Sequence, residues 1–226
     1  MHAHEVTESQ RRQRRIAFTS IVAAGVLVAV KLTAGVQSGS LGLLAEALHS
    51  GGVRLLEVTL NTEGALKILS SWRENFPLLC IGAGTVVTLE DARSALSAGA
   101  QFLVTPNLNE DVVTYVLERG LAVFPGALTP TEIVRAHALG ASAVKVFPVG
   151  ALGGPSYIKE VRAPLNHIPL IAVGGVNVGN ARAYLEAGCV GLGVGSSLLD
   201  LEKVRRGDFE GVRQNAENLV RALEGG

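Results

Sequence analysis

Cysteine is scarce in this chain, with only Cys80 and Cys189, far apart and both in apolar segments. That count excludes a disulfide framework and favours core thiols in a reducing cytosol over a disulfide or metal pair. There is no surplus of either charge: 20 basic side chains face 20 acidic ones. A nucleic-acid binder needs a basic face, so no nucleic-acid partner is expected. Low-complexity sequence is also missing, because many of the 27 glycines fall where strands end or helices stop. What remains is a core-forming chain of 226 residues, 48% hydrophobic and 18% charged. One domain of that length suits a single α/β barrel.

From about Gly51 onward, short apolar runs alternate with helical patterns. Strands are predicted to begin at Arg54, Leu79, Phe102, Ala122, Ala143, Leu170 and Val190. Successive starts lie about 20 to 27 residues apart, enough for one strand, one helix and two tight turns. The runs are continuously apolar, as in a parallel sheet buried on both faces. Helices are predicted over Thr62–Glu74, Leu89–Ala98, Asn109–Arg119, Thr129–Leu139 and Val178–Ala187. Thr88 and Thr129 provide N-terminal cap signals, and Gly99, Gly120, Gly140 and Gly188 provide stops. Seven βα units are visible. The repeat predicts a (β/α)8 TIM barrel whose atypical first strand and helix come from residues 1–50, with residues 51–226 forming the rest.

The first fifty residues carry a second signal. Arg11, Arg12, Arg14 and Arg15 precede an apolar run from Ile16 to Val30, and only Lys31 interrupts it before Val36. Such a run approaches the ~20 residues that span a bilayer, and the arginines would keep its N-terminus in the cytoplasm. It lacks the small-residue cleavage pattern of a secretory signal.

Chemistry in a barrel is expected at the C-terminal ends of the strands. Lys145 interrupts the apolar run AVKVF. Burial would disfavour its ammonium form, leaving a neutral amine able to attack a ketone and form an iminium. Glu57 lies inside RLLEVTL, where a buried carboxylate is costly unless paired or used. The two could be nucleophile and general acid/base, or a structural ion pair. Thr85, at the end of IGAGT, could orient a carboxylate or merely cap a helix. Gly174 and Gly175 in AVGGVN, and Gly195 and Ser196 in GVGSS, offer unobstructed backbone N–H groups suited to an anion.

Together GGVRLLEVTLNTEGAL, IGAGTV, GAQFLVTPN, PGALTPTEI, VKVFP, GGPSYIKEVRAPL, AVGGVN and GVGSSL resemble the class I 2-dehydro-3-deoxy-phosphogluconate aldolase family. That family also includes phosphogalactonate and 4-hydroxy-2-oxoglutarate aldolases. The resemblance implies a trimeric, cytoplasmic, metal-independent lyase with no cofactor. It would cleave a phosphorylated keto acid to pyruvate and glyceraldehyde 3-phosphate. Lys145 matches the Schiff-base lysine, Glu57 the acid/base and Thr85 the threonine at the pyruvyl carboxylate. Pro106 and Phe147 match pocket residues, while Gly174, Gly175, Gly195 and Ser196 fall in the phosphate loops.

Two positions depart from the phosphogluconate pattern and are similar to the phosphogalactonate branch. Asn61 stands where an arginine is common, and Val173 where a threonine often precedes the paired glycines. Both C4 epimers therefore stay open as substrates, with 4-hydroxy-2-oxoglutarate as an alternative. Lys31 would replace the arginine that usually ends the family's first strand, here read as Gly25–Leu32, with Leu41–His49 as the first helix. The same region, through SGSLGLLAEALHS, also resembles the first membrane segment of a cation diffusion facilitator. His49 matches a metal-ligand position of some such transporters, but Val53 replaces the acidic partner, so no metal site is expected. Recruitment as strand and helix is favoured over membrane insertion or an inactive membrane-associated fusion, because an eighth strand removes the open edges of the barrel.

Overall fold

Parallel strands buried on both faces need apolar side chains at nearly every position, and the short runs of this chain supply them. In the computed structural model, which describes residues 25–31 and 38–224, they form nine strands. These are β1 (Gly25–Val30), β2 (Leu55–Thr59), β3 (Cys80–Gly84), β4 (Phe102–Val104), β5 (Ala122–Phe124), β6 (Gly126–Ala127), β7 (Val144–Val146), β8 (Leu170–Val173) and β9 (Gly191–Val194). Neighbours run in the order β5-β4-β3-β2-β1-β9-β8-β7-β6. β5 and β6 are two halves of one strand bent at Pro125: β5 pairs with β4, and β6 with β7. Lys145 N donates to Pro125 O at 2.9 Å and Phe147 N to Ala127 O at 3.1 Å. The bent strand thereby joins the two ends of the ladder, giving a (β/α)8 barrel.

Gly25–Val30 fills the first-strand position. It pairs with β2 (Ala29 opposite Glu57) and with β9 (Val28 opposite Val194). Helix α1 (Ser38–Ser50) follows and packs on the last helix, α9 (Phe209–Glu224). Contact near that junction is close: a Cβ on Gly51 would lie 2.5 Å from Ala216 Cβ. The resemblance to a transporter's membrane segment gains no support, since these 6 residues form a strand inside the barrel wall. No described helix is long and apolar enough to cross a membrane. His49 Nδ1 accepts from Arg54 Nη1 at 3.1 Å. The Arg11–Arg15 cluster and residues 16–24 and 32–37 of the apolar run lie outside the described residues.

Alternation along the strands divides the core into two. Val26, Val28, Leu56, Val58, Ile81, Leu103, Val123, Val144, Val146, Leu170 and Leu192 belong to the larger cluster, which includes the buried faces of the helices. Leu27, Leu55, Phe102, Val104, Ala122, Phe124, Ala143 and Ile171 fill the barrel. Phe102 and Phe124 meet edge to face there, centroids 5.9 Å apart. A Cβ on Gly82 would stand 2.5 Å from the Phe102 ring, so the large side chain fits because β3 has none at that point.

The remaining helices are α2 (Ala65–Asn75), α3 (Leu89–Ser97), α4 (Glu110–Glu118), α5 (Pro130–Ala138), α6 (Pro155–Arg162), α7 (Ala181–Glu186) and α8 (Leu201–Arg205). Capping boxes start α3 (Thr88 with Asp91) and α5 (Thr129 with Glu132), each cap contributing ~1 kcal/mol. Two helices begin later than their patterns predict. The one expected from Thr62 starts at Ala65, after a turn in which Thr62 N donates to Thr59 O at 2.9 Å. The one expected near Val178 starts at Ala181 because asparagine side chains capture the backbone first. Asn177 N donates to Asn180 Oδ1 at 2.8 Å, and Gly179 N to Asn177 Oδ1 at 2.9 Å.

Candidate active site

Strand parity decides where Glu57 and Lys145 point. Leu56 and Val58 flank Glu57, Val144 and Val146 flank Lys145, and all four pack against the helices. Glu57 and Lys145 therefore share the inner face with Leu55 and Ala143. They are 4% and 8% exposed, two of the few buried polar side chains among the described residues. Burial pushes the Glu57 carboxyl up to about 7, against the pull of the Lys145 charge. Burial likewise holds the Lys145 ammonium below the usual lysine range, with the Glu57 charge opposing it. Each group is thus drawn toward its neutral form while the other's charge resists.

Space for Glu57 comes from a glycine on the neighbouring strand. Gly84 at the end of β3 leaves room for Glu57, whose Oε1 stands 1.5 Å from where a Gly84 Cβ would be. Opposite Lys145 on β6 is Gly126, where a Cβ would meet Pro106 O at 2.2 Å. Val173 points inward at the end of β8 and covers Gly193, with Cγ2 2.6 Å from a would-be Cβ. Lys145 Nζ lies 4.9 Å from the centroid of the Phe147 ring. That ring is 37% exposed, so it stands at the mouth of the barrel.

Thr85 follows β3 with φ 55, the left-handed region that a β-branched residue rarely enters. Holding it there costs ~1–3 kcal/mol, which the surrounding structure must offset. Asn61 is exposed in the turn after β2. That turn is tied to β3 by Leu60 N donating to Gly84 O at 2.8 Å. Pro106 is half-buried behind Gly126.

The two glycine-rich loops meet beside one another. Gly174 and Gly175 have φ 96 and 82, a path closed to most side chains. Gly174 O accepts from Gly150 N at 3.0 Å, and Gly195 O accepts from Leu198 N and Leu199 N, each at 3.0 Å. Ser197 Oγ donates to Val176 O at 2.6 Å and clasps the loops together. The N–H groups of Gly175, Val176, Ser196 and Ser197 donate to no other described residue. Ser196 is exposed, as is Lys31 at the end of β1. Lys31 is the only cation among the described residues of the strand-to-helix loops.

Glu57, Asn61, Thr85, Pro106, Lys145, Phe147, Val173, Gly174, Gly175, Gly195 and Ser196 therefore lie inside the barrel toward its C-terminal end or on the loops there. Three features escaped sequence reasoning. The strain at Thr85 and the Ser197 clasp leave no signature in residue type. The room that Gly84 gives Glu57 did leave one, because Gly82 and Gly84 alternate with outward Ile81 and Ala83.

The family model described as "Aldolase: KDPG and KHG aldolase" matches residues 16–215. That match takes in most of the stretch that resembles a transporter segment. A 2-dehydro-3-deoxy-phosphogluconate aldolase of Treponema pallidum is 37% identical over 180 residues, 80% of this chain and 86% of the relative. The 2-dehydro-3-deoxy-6-phosphogalactonate aldolase of Escherichia coli is 36% identical over 161 residues, 67% of this chain and 75% of the relative. Among solved structures, the KDPG aldolase of Legionella pneumophila, with pyruvate captured as a covalent carbinolamine intermediate, superimposes with TM-score 0.81. It is 27% identical and covers 89% of this chain and 97% of that one. An inward lysine and glutamate in one barrel, set against these matches, place the chain in the KDPG and KHG aldolase family of carbon–carbon lyases.

Proposed function

We propose that the protein cleaves 2-dehydro-3-deoxy-6-phospho sugar acids, of the gluconate or galactonate type, to pyruvate and glyceraldehyde 3-phosphate. Lys145 is the nucleophile and Glu57 the acid/base. The observation that carries this reading is the buried pair itself: a lysine drawn toward neutral amine beside a carboxyl near 7. The Lys145 amine adds to the C2 ketone, and protonated Glu57 gives its proton to the departing hydroxyl, releasing water and leaving an iminium. Glu57, now ionised, takes the proton of the C4 hydroxyl. The C3–C4 bond breaks, its electron pair flows to the iminium nitrogen, and the aldehyde leaves an enamine behind. Glu57 returns the proton to C3. Water then adds to the pyruvate iminium, Glu57 takes one of its protons, and collapse of the adduct restores the free amine. A group that gives and takes protons alternately works best with a pKa near the working pH.

Thr85 and Asn61 sit where the substrate carboxylate would be held, and Pro106, Phe147 and Val173 line the walls. The N–H groups around Gly174, Gly175, Gly195 and Ser196 receive the phosphate. Lys31 supplies positive charge at the mouth, a reading supported by its being the only cation on the described loops. The protein works in the cytoplasm as a homotrimer. Exposed Val87, Leu152 and Val178 on the loop face support self-association.

The test is to incubate the protein with pyruvate and borohydride and locate the adduct by mass spectrometry. Irreversible labelling at Lys145 is expected. If Lys145→Ala labels and cleaves as the unmodified protein does, the mechanism is wrong.

A further inference from the structure

Gly84 bears on the same reaction in a way that its chemistry alone would hide. Several glycines inside the barrel lie against a neighbour, but the neighbour differs. At Gly126 it is backbone, the carbonyl of Pro106, and at Gly82 and Gly193 it is the apolar side chain of Phe102 or Val173. At Gly84 it is the Glu57 side chain: a Cβ would lie 1.5 Å from Oε1, 2.2 Å from Cδ and 2.5 Å from Cγ. Gly84 is not among the residues with positive φ, so its backbone conformation is open to alanine.

We propose that Gly84 is a positioning residue: its missing side chain fixes where the Glu57 carboxylate stands relative to Lys145. This rests on Glu57 being the acid/base. β2 and β3 are locked in register, Glu57 opposite Gly82 and Thr59 opposite Gly84, so the Glu57 side chain leans two residues along β3 toward the mouth. A methyl at residue 84 would occupy that path. The atoms that must move are the far end of a flexible side chain, which leaves the barrel intact while displacing the only buried carboxylate among the described residues. A shift of about 1 Å at a reacting group can cost on the order of 10²-fold in rate.

The experiment is a double-mutant cycle in the full chain, comparing Gly84→Ala, Glu57→Ala and the two combined, using phosphorylated substrate and thermal melts. Gly84→Ala is expected to lower kcat roughly 10²-fold, with its melting temperature within about 3 °C of the parent. The pH limb of kcat assigned to Glu57 should move to lower pH, because a carboxylate displaced toward the mouth regains water. In the Glu57→Ala background the same substitution should have little further effect, since no atom beyond Cβ remains to be displaced. If Gly84→Ala instead destabilises the fold, Glu57→Ala in the same chain should restore the melting temperature. Equal losses in both backgrounds, or full activity in Gly84→Ala, would overturn the positioning role. Full activity in Glu57→Ala would instead overturn the acid/base reading on which it rests.

Discussion

The same burial moves Glu57 and Lys145 toward one another on the pH scale, the carboxyl up to about 7 and the ammonium down, while each charge restrains the other's shift. They reach this relationship from β2 and β7, strands separated in the ring by β1, β9 and β8. Inward parity on each strand brings them into one interior. Much of what the protein is expected to do in solution follows from that coupling.

Replacing Lys145 with methionine keeps an unbranched side chain, one atom shorter, and removes the amine. Turnover should fall by on the order of 10³-fold or more, and borohydride should trap no pyruvate adduct. Circular dichroism and the melting temperature should stay near those of the parent, because an unbranched apolar side chain fills the same space. Persistent turnover in a folded variant would rule out the amine as nucleophile.

Glu57 also sets a pH dependence of stability. Its folded pKa, about 7, lies above the ordinary 4.5. Between those values the native protein holds a proton that the unfolded chain has released. The contribution is therefore full below about 4.5 and is lost as pH rises through about 7, on the order of 3 kcal/mol in all. Glu57→Gln removes this loss. Its melting temperature should gain several degrees on the parent between pH 4.5 and pH 8, as read in paired calorimetric scans. A constant difference across that window would mean that the carboxyl titrates normally.

Lys31 should act on binding and leave the chemical step alone. Lys31→Ala is expected to raise KM for the phosphorylated substrate roughly 10-fold, as for a lost charge-assisted hydrogen bond, with kcat little changed. Added salt should narrow the gap between variant and parent. Cleavage of unphosphorylated 4-hydroxy-2-oxoglutarate measures how much of the effect belongs to the phosphate. A change in kcat alone would move Lys31 out of the binding role.

Ser197→Ala removes the clasp to Val176 O without touching either glycine of the loops. The loops should then hold an anion less well. A several-fold rise in the inhibition constant of inorganic phosphate is expected, with pyruvate trapping at Lys145 unaffected. Unchanged inhibition would show that the two loops keep their spacing without the hydroxyl.

The site was readable where burial and residue type disagree. A lysine between Val144 and Val146, and a glutamate between Leu56 and Val58, can only be inward residues of a buried strand, and both are. Gly25–Val30 was readable as a strand for a different reason, since seven units left one position vacant. Thr85 carries no such mark, because its left-handed φ is imposed by what surrounds the end of β3. The start of α7 was misjudged by pattern, which counts apolar spacing and ignores two asparagines competing for the same backbone N–H groups. The split of one strand into β5 and β6 falls at Pro125, which has no N–H to donate to the ladder.

The pairing of β1 with both β2 and β9 has a consequence for how the protein is made. Its second neighbour, Gly191–Val194, lies near the other end of the chain. During synthesis β1 must wait with one apolar edge unpaired until Gly191–Val194 has left the ribosome, and such edges recruit other chains. A nascent chain stalled before Gly191 would hold seven of its eight strand positions and still present that edge.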